Sequence, residues 1–251
     1  MKKVFQTATG IFGGGTPLVC VPIVAGDQDG IWKKAEEIRA LPVDIVEWRA
    51  DFYTDVKDFG KVLDTLGGLK KRLTKKSLLF TFRTRGEGGN LELSPEACYR
   101  LNREAAGSGY ADLIDVEAYL DPARTAEEIQ RLHETPGVRV IASSHAFDRT
   151  PPAEEMLGRL RQMEAFGADA AKLAVMPKDR QDVLNLLQAA LWADEELSIP
   201  TVTMSMGSTG VVSRICGRLT GSAMTFAAAG QVSAPGQIPV AQMTDILKIT
   251  G

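Results

Sequence analysis

The segment VRVIASSHAFDRTPPAEEMLGRLRQMEAFGADAAKLAV, residues 138–175, decides the fold. It begins with a short apolar run at residues 138–142 and ends with another at residues 170–174. Between them, residues 153–166 carry apolar side chains at helical spacing. Two short, nearly continuous apolar strands on either side of an amphipathic helix are typical of parallel strands with both faces covered. The segment therefore predicts a βαβ unit.

The same alternation continues in both directions along the chain. Further apolar runs predict strands at residues 18–24, 44–48, 78–82, 112–116, 201–204 and 222–226. Further helical spacing is found at residues 30–40, 95–107, 126–135 and 178–197. Eight such units of about 30 residues each predict a (β/α)8 barrel, the TIM-barrel fold. The alternative is an open doubly wound sheet, which a GxGxxG turn after the first strand would favour, but residues 24–27 read VAGD.

Composition and charge narrow the class of protein. The 251 residues suit a single barrel domain over residues 1–251, and no linker, repeat or low-complexity segment divides them. The formal net charge is only −3, which gives no general attraction to nucleic acid or to anionic membranes. No apolar run approaches the roughly 20 residues of a membrane span, and no secretory signal is evident, so we expect a soluble cytoplasmic protein. Three separated cysteines and two histidines argue against a metal centre or a disulfide framework.

Polar side chains stand where the predicted strands end, which in a barrel of this type is where the active site forms. Glu47 and Arg49 close the second strand and share a face, because residues two apart on a strand point the same way. Arg83 and Glu87 follow the third strand, and His145 follows the fifth. The pairs Glu47/Arg49 and Arg83/Glu87 are either surface salt bridges or groups that hold substrate hydroxyls and a carboxylate.

Lys172 is the most informative residue, since it lies in an apolar strand among alanine, leucine and valine. A lysine that snorkels to the surface or pairs with a carboxylate is one interpretation. In a strand buried on both faces, however, the amine reaches only the barrel mouth, where we expect it to meet Arg49, Arg83 and His145. Desolvation and nearby cations favour a neutral amine, which is a nucleophile toward carbonyl groups.

His145 is a candidate proton shuttle, although a lone histidine is commonly a structural residue. The ordinary histidine pKa of about 6.5 suits a group that takes a proton and later returns it. Glu87, on a neighbouring loop, would hold the other ring nitrogen and so set the tautomer. His133 lies in a helical run with charged neighbours and is expected to face solvent.

Two loops near the C-terminus carry groups suited to an anionic substrate. Residues 204–214 are polar and glycine-rich and end at Arg214, which either begins a helix or clamps an anion over the barrel mouth. Arginine recognises a carboxylate through two parallel hydrogen bonds. Residues 231–237 offer Ser233 and Gln237 as hydrogen-bonding groups and form either a flexible loop or a lid.

Six short motifs together resemble the type I 3-dehydroquinate dehydratases. In chain order they are EWRAD (47–51), FTFRT (80–84) with EGG (87–89), SSHAF (143–147), AKLAVM (171–176), SMG (205–207) with SR (213–214), and SAPGQ (233–237). Their order follows that of the family over residues 18–240. Ala146 departs from the family, which often has a polar residue there, and residues 1–16 match poorly.

The resemblance implies a (β/α)8 barrel with an extra N-terminal hairpin across its bottom, acting as a homodimer in the shikimate pathway. It implies dehydration of 3-dehydroquinate to 3-dehydroshikimate by syn elimination, with no metal or organic cofactor. By the same resemblance, Lys172 forms an imine with the C3 carbonyl, His145 moves protons and Glu87 orients His145. Arg214 would bind the substrate carboxylate. The other site residues would bind substrate hydroxyls or close the lid, and they are Glu47, Arg49, Arg83, Ser233 and Gln237.

Two other functions are compatible with part of this pattern. A class I aldolase or transaldolase also places an imine-forming lysine on a barrel strand, but it normally needs a phosphate site near the seventh and eighth strands. Arg214 and the SAPGQ loop suit a carboxylate better. A catalytically inactive barrel that serves as a binding module would not explain the joint presence of Lys172, His145 and Glu87.

Overall fold

The computed structural model describes residues 2–230 and 235–250 of the chain. It begins with an antiparallel hairpin of β1 (Phe5–Gln6) and β2 (Ile11–Phe12). Within the described residues, a set of eight parallel strands follows. They are β3 (Leu18–Ile23), β4 (Ile45–Arg49), β5 (Ser77–Thr81), β6 (Leu113–Glu117), β7 (Arg139–Ala146), β8 (Ala170–Val175), β9 (Thr201–Ser205) and β10 (Met224–Ala228).

The parallel sheet closes on itself. Each strand from β3 to β8 pairs with the next one in the chain, and β10 pairs in parallel with β3. The last gap is closed by a parallel bridge between Thr201 and Ser222, and the amide of Ala223 donates to the Thr201 carbonyl at 2.7 Å. The strands follow one another in chain order around the barrel, whereas a doubly wound sheet reverses its strand order. The predicted (β/α)8 barrel is therefore confirmed, and the doubly wound alternative is wrong.

Helices connect the strands on the outside of the barrel. The longer ones in the described residues are α1 (Gln28–Arg39), α2 (Phe59–Arg72), α3 (Pro95–Gly107), α4 (Pro122–His133), α5 (Ala153–Ala165) and α6 (Arg180–Glu196). Single-turn helices α7 (Val212–Ile215) and α8 (Gly217–Thr220) lie between β9 and β10, and a short strand β11 (Ile238–Pro239) precedes α9 (Val240–Thr250). Side chains cap several helix starts by accepting a hydrogen bond from a backbone amide of the first turn. These caps are Asp27, Asp58, Ser94 and Asp179.

Several predicted boundaries move for local reasons. The fifth strand, predicted to end at residue 142, continues to Ala146 because its last residues stay in register with β8. The eighth strand begins at Met224 rather than at 222, since Ser222 belongs to the bridge that closes the barrel. Helix α2 was not picked out by its pattern, because Gly67 and Gly68 lower helix propensity.

The hairpin seals the amino-terminal end of the barrel. The rings of Phe5 and Phe12 stack with their centroids 4.7 Å apart. Both belong to the buried apolar cluster that also contains Leu18, Ile45 and Leu113, the first residues of β3, β4 and β6. A second apolar cluster lies between the strands and the surrounding helices. The hairpin expected from the resemblance is therefore confirmed, and the opposite end of the barrel is left open for a ligand.

Aspartates that precede β4, β6 and β8 bond to the backbone of the strand before them at the sealed end of the barrel. Each carboxylate accepts a hydrogen bond from a backbone amide near the start of the preceding strand, at 2.7–2.8 Å. The acceptor and donor residues are Asp44 with Val19, Asp112 with Leu78, and Asp169 with Val140. A charged acceptor makes a stronger bond than a neutral one. Aspartate at these positions therefore serves strand pairing rather than chemistry.

Replacement of Asp44 by alanine should lower the free energy of unfolding by about 1–3 kcal/mol, because the buried Val19 amide loses its acceptor. Urea denaturation followed by circular dichroism measures the loss. Asp245→Ala is the matched control, since Asp245 is exposed on α9 and contacts the exposed Lys248 side chain. It should change stability by less than about 0.5 kcal/mol. Equal stabilities of the two variants would contradict the role given to Asp44.

Candidate active site

A cavity lined by charged, polar and apolar side chains opens at the carboxyl end of the barrel strands. The sequence-predicted site residues converge on it, although Ser233 lies outside the described residues. Those that line the cavity are Glu47, Arg49, Arg83, Glu87, His145, Lys172, Arg214 and Gln237. Strand ends supply Glu47, Arg49, His145 and Lys172, as the alternation of strand residues predicts.

The Lys172 amine is nearly sealed inside the barrel, with its side chain 4% exposed. Its Nζ lies 3.3 Å from Asp115 Oδ2, 3.7 Å from Glu47 Oε1 and 4.7 Å from the centroid of the Phe226 ring. Arg49, Arg83 and His145 were expected to meet the amine at the barrel mouth. Arg49, Arg83 and His145 share the cavity, but the charged groups in contact with the amine are carboxylates.

Behind the lysine, Arg83 is buried and held by acidic and hydroxyl groups of neighbouring strands. Its guanidinium donates to Asp115 at 2.8 Å, to Glu117 at 3.1 Å and to Ser143 at 2.9 Å. Burial alone would lower the pKa of Arg83, but the carboxylates of Asp115 and Glu117 outweigh that effect and raise it overall. Arg83 is thus permanently charged and fixed in position.

Asp115 and Glu117 were not predicted as site residues. They occupy β6 and are two residues apart, so both point into the barrel. Ser143 Oγ also donates to Asp115 Oδ1 at 2.7 Å. Burial would raise the pKa of Asp115, but Arg83, Lys172 and the hydrogen bonds from Ser143 and Arg83 hold it below its ordinary range. The sequence feature that could have predicted them is the presence of two acidic residues in an otherwise apolar strand.

His145 and Glu87 form a hydrogen-bonded pair on the cavity wall, with Nδ1 and Oε2 2.9 Å apart. Burial, assisted by the charges of Arg83, Lys172 and Arg49, lowers the pKa of His145 well below its ordinary value. Burial also raises the pKa of Glu87 to about 8, against the pull of Arg83. The imidazole is therefore neutral near pH 7, with Nε2 as the ring nitrogen that Glu87 does not hold. When Glu87 is ionised and accepts a hydrogen bond from Nδ1–H, Nε2 is left to accept a proton.

The loop that carries Glu87 depends on glycine. Glu87 ends a short 3-10 turn, and Gly88 follows with φ +81°. A Cβ at Gly88 would lie 2.3 Å from the ring of Phe147, which stacks beside the His145 ring with centroids 6.3 Å apart. The EGG motif therefore lets the loop pass close enough to His145 for the carboxylate to reach it.

Arg49 does not pair with Glu47. Its guanidinium makes two hydrogen bonds of 2.8 Å to Asp51, and its Cζ lies 5.1 Å from the centroid of the Phe52 ring. Glu47 instead accepts from Thr81 Oγ1 at 3.0 Å and faces Lys172. Asp51, which belongs to the EWRAD motif, holds Arg49 in place, a role that was not predicted.

Arg214 has no carboxylate within ion-pair distance in the described part of the chain. Its side chain is buried, and its Nε has no hydrogen-bond partner among the same residues. Nη2 donates to the Pro235 carbonyl at 3.0 Å, and Nη1 faces the sulfur of Met204 at 3.8 Å. Burial lowers the pKa of Arg214 to about 10, so the group is still a cation at neutral pH. A buried cation without a counter-ion is costly unless a ligand supplies one.

The described end of the SAPGQ loop packs directly on the loop that precedes Arg214. Gly236 has φ +79°, and a Cβ there would lie 2.3 Å from the Gly207 carbonyl oxygen. Gly207 donates its amide to Pro235 at 3.2 Å, and Gln237 lines the cavity. The predicted glycine is therefore required by a close backbone approach. The wall beside these loops is apolar and consists of Phe147, Met204, Met206 and Phe226. These residues were not predicted as part of the site, because apolar side chains of this kind also form the core.

Outside the cavity, His133 is partly exposed and pairs with Asp169 at 2.8 Å, away from the open end. None of the helices in residues 2–230 and 235–250 is both long and apolar enough to cross a membrane.

Comparison with known proteins gives a consistent result. The family model for type I 3-dehydroquinase matches residues 19–251. The 3-dehydroquinate dehydratase of Listeria monocytogenes is 45% identical over 248 residues, covering 99% of this chain and 97% of the relative. That of Klebsiella pneumoniae is 46% identical over 239 residues, covering 95% of both.

A solved structure agrees over nearly the whole chain. The type I 3-dehydroquinate dehydratase of Clostridium difficile, solved with covalently modified comenic acid, superposes with a TM-score of 0.95 at 40% identity. The match covers 99% of this chain and 98% of that one. The chain therefore belongs to the type I 3-dehydroquinase family of enzymes.

Proposed function

We propose that the chain converts 3-dehydroquinate to 3-dehydroshikimate through an imine on Lys172, by syn elimination and without a metal or organic cofactor. The observation that carries the proposal is the placement of a nearly sealed lysine amine in the same cavity as a histidine–glutamate pair. A nucleophile and a proton-transfer group in one small cavity are what imine-based dehydration needs. As the resemblance implies, the reaction would serve the shikimate pathway of aromatic amino-acid biosynthesis.

In the first step, the Lys172 amine adds to the C3 carbonyl, one proton is taken up and water leaves, which forms a carbon–nitrogen double bond whose nitrogen keeps one proton. His145 then removes a proton from C2, and the electrons pass to the imine nitrogen to give an enamine. The enamine expels the neighbouring hydroxyl, which takes the proton back from His145 and leaves as water. Hydrolysis of the new imine releases the product and the free amine.

The neutral state of His145 supports its part in this sequence. An imidazole that Glu87 holds through Nδ1 has its other nitrogen available for the substrate proton. Glu87 would set the ring orientation and stabilise the imidazolium that forms. The acidic and basic residues around the cavity would hold the substrate in place.

Arg214 would bind the substrate carboxylate, since among the arginines that line the cavity it is the one with no ion pair to an acidic side chain of the described residues. The substrate hydroxyls would be held by the remaining site residues, which are Glu47, Arg49, Arg83, Ser233 and Gln237. Ser233 and Gln237 would also close the lid. We further propose a homodimer in the cytoplasm, which sedimentation and cell fractionation would test. The single-domain organisation stays a prediction.

Borohydride added during turnover should leave a stable adduct on the peptide that contains Lys172, because reduction fixes the imine. Lys172→Ala should abolish both the adduct and turnover, which is followed by enone absorbance. Lys178→Ala is the control and should behave like the wild type. An adduct on another lysine would reject Lys172, and turnover by Lys172→Ala would reject the imine mechanism. An inactive barrel would give no adduct, and an aldolase would not release the enone.

His145→Ala should slow turnover by about 10²–10⁴-fold, the usual contribution of a general base, while imine formation continues slowly. The covalent intermediate should therefore accumulate and be visible in the intact mass. Glu87→Gln should produce a smaller loss in the same direction. Normal turnover by a folded His145→Ala protein would make the histidine a structural residue.

The pH profile gives a separate test of His145. Its pKa is lowered, so the base stays neutral and active as the pH falls through the ordinary histidine range. The acid limb of kcat/KM that His145 contributes should therefore lie below pH about 6.5, whereas a limb at higher pH that Glu87→Gln removes belongs to Glu87, whose pKa is raised. A limb that lies at or above this value, and that is lost in His145→Ala, would contradict the lowered pKa.

Arg214→Lys should raise KM markedly, and Arg214→Ala should raise it further. Loss of one member of a buried charge pair costs about 2–5 kcal/mol, which corresponds to roughly 30-fold or more in affinity. The control is a substrate analogue with an amide in place of the carboxylate. The wild type should reject this analogue strongly and Arg214→Ala much less. If both proteins disfavour it equally, Arg49 or Arg83 is the better candidate.

A further inference from the structure

Asp115 contacts the reactive amine but has no access to the cavity. Its side chain is fully buried, and its Oδ2 lies 3.3 Å from Lys172 Nζ. Its Oδ1 accepts hydrogen bonds from Arg83 at 2.8 Å and Ser143 at 2.7 Å. A substrate in the cavity therefore does not need to displace these contacts. Asp115 must therefore act through its contact with the lysine nitrogen.

These contacts keep Asp115 ionised. An isolated buried carboxylate would take up a proton, but the fixed guanidinium of Arg83 and the Ser143 hydroxyl both stabilise the anion. Glu117 holds the opposite side of the same guanidinium, at 3.1 Å. The negative charge beside Lys172 is thus provided by the barrel before any substrate arrives.

We propose that Asp115 is the counter-ion of the protonated imine that Lys172 forms with its substrate. The proposal rests on the proposed function. When the amine adds to the carbonyl, one proton is taken up from solvent and water leaves, so the new nitrogen keeps one proton and carries a full positive charge. Loss of the C2 proton to His145 removes that charge as the enamine forms, and departure of the hydroxyl restores it. Hydrolysis then returns the charge to the free ammonium.

A carboxylate fixed at this nitrogen would favour the protonated imine over the neutral imine at every stage. The protonated form withdraws electrons from C2 far more strongly, so it is the form from which His145 can take the proton. Electrostatic stabilisation by groups already in place costs no reorganisation during the reaction. Asp115 therefore contributes to the electron sink itself and not to substrate binding.

Glu47 is less suited to this role, although it is also near the amine. Its Oε1 is 3.7 Å from Nζ, and it lines the cavity, where substrate would compete for it. Other titratable or charged groups interact with the Lys172–Asp115 pair or line the same cavity. They are Cys20 from β3, Glu47 and Arg49 from β4, Arg83 and Glu87 after β5, Glu117 from β6, His145 from β7 and Arg214 from α7.

Reduction by cyanoborohydride tests the proposal, because this reagent reduces protonated imines and spares neutral ones. The enzyme is equilibrated with 3-dehydroquinate over a range of pH and then given a short pulse of reagent. The reduced fraction is measured by intact mass. In Asp115→Asn, the midpoint at which trapping falls with rising pH should move down by about 1–3 units, the effect of an opposite charge at this distance. Turnover should fall in kcat more than KM rises.

Glu117→Gln is the matched control. It removes a buried carboxylate from the same Arg83 cluster, but among the described residues Glu117 bonds to Arg83 and Thr84 and not to Lys172, and Asp115 keeps its charge. Its trapping midpoint should stay at that of the wild type, and Asp115→Glu should recover part of the lost shift. An unchanged midpoint in Asp115→Asn, or an equal shift in Glu117→Gln, would overturn the proposal. Failure of the wild type to form any adduct would instead overturn the imine mechanism.

A second measurement covers the case in which Asp115→Asn does not fold. The imine of the same ketone with a simple alkyl amine in water serves as the reference. The trapping midpoint of the wild-type enzyme should lie above that of this reference, because the fixed anion favours protonation. A wild-type midpoint at or below the reference would overturn the role of Asp115 without the variant.

Discussion

The buried ion pair between Arg83 and Asp115 is the contact on which the open end of the barrel depends. Arg83 follows β5 and reaches side chains of β6 and β7, so it ties three neighbouring strands together. Glu117 accepts from Arg83 and also from the amide and hydroxyl of Thr84, which fixes the start of the loop that carries Glu87. Removal of one member would leave uncompensated charge in the interior, which is strongly destabilising.

The cations of the cavity divide into two kinds. Arg49 and Arg83 are held by acidic side chains of the protein and therefore shape the site. Arg214 is held by a backbone carbonyl, which leaves its charge available to a ligand. The protein as a whole carries a small negative charge, so attraction for an acidic molecule is a local property of the barrel mouth.

Much of this arrangement could be predicted from the sequence because barrels obey a strict pattern. Alternating apolar runs and helical spacing predict the parallel strands, and strand ends predict where polar side chains gather. Lys172 stood out because a charge in an apolar strand needs an explanation, and His145 stood out by its position after a strand.

The pairing of charges could not be predicted, because it depends on which side chains meet across strands. The sequence suggested Glu47 with Arg49, whereas Arg49 pairs with Asp51. Arg49, Arg83 and His145 share the cavity of Lys172 as expected, but the contact of the amine with the carboxylates of Asp115 and Glu47 was not predicted. Apolar wall residues such as Met204 and Phe226 carry no sequence signal that separates them from the core.

The sealed hairpin end has a consequence for how such an enzyme can be altered. The stacked phenylalanines and the strand-pinning aspartates lie at the opposite end of the barrel from Lys172 and His145. Distant, independent sites contribute additively to stability, so changes at the two ends do not interfere. Stabilising substitutions can therefore be placed at the amino-terminal face, away from the charged residues of the cavity, while the mouth is altered separately for other ligands.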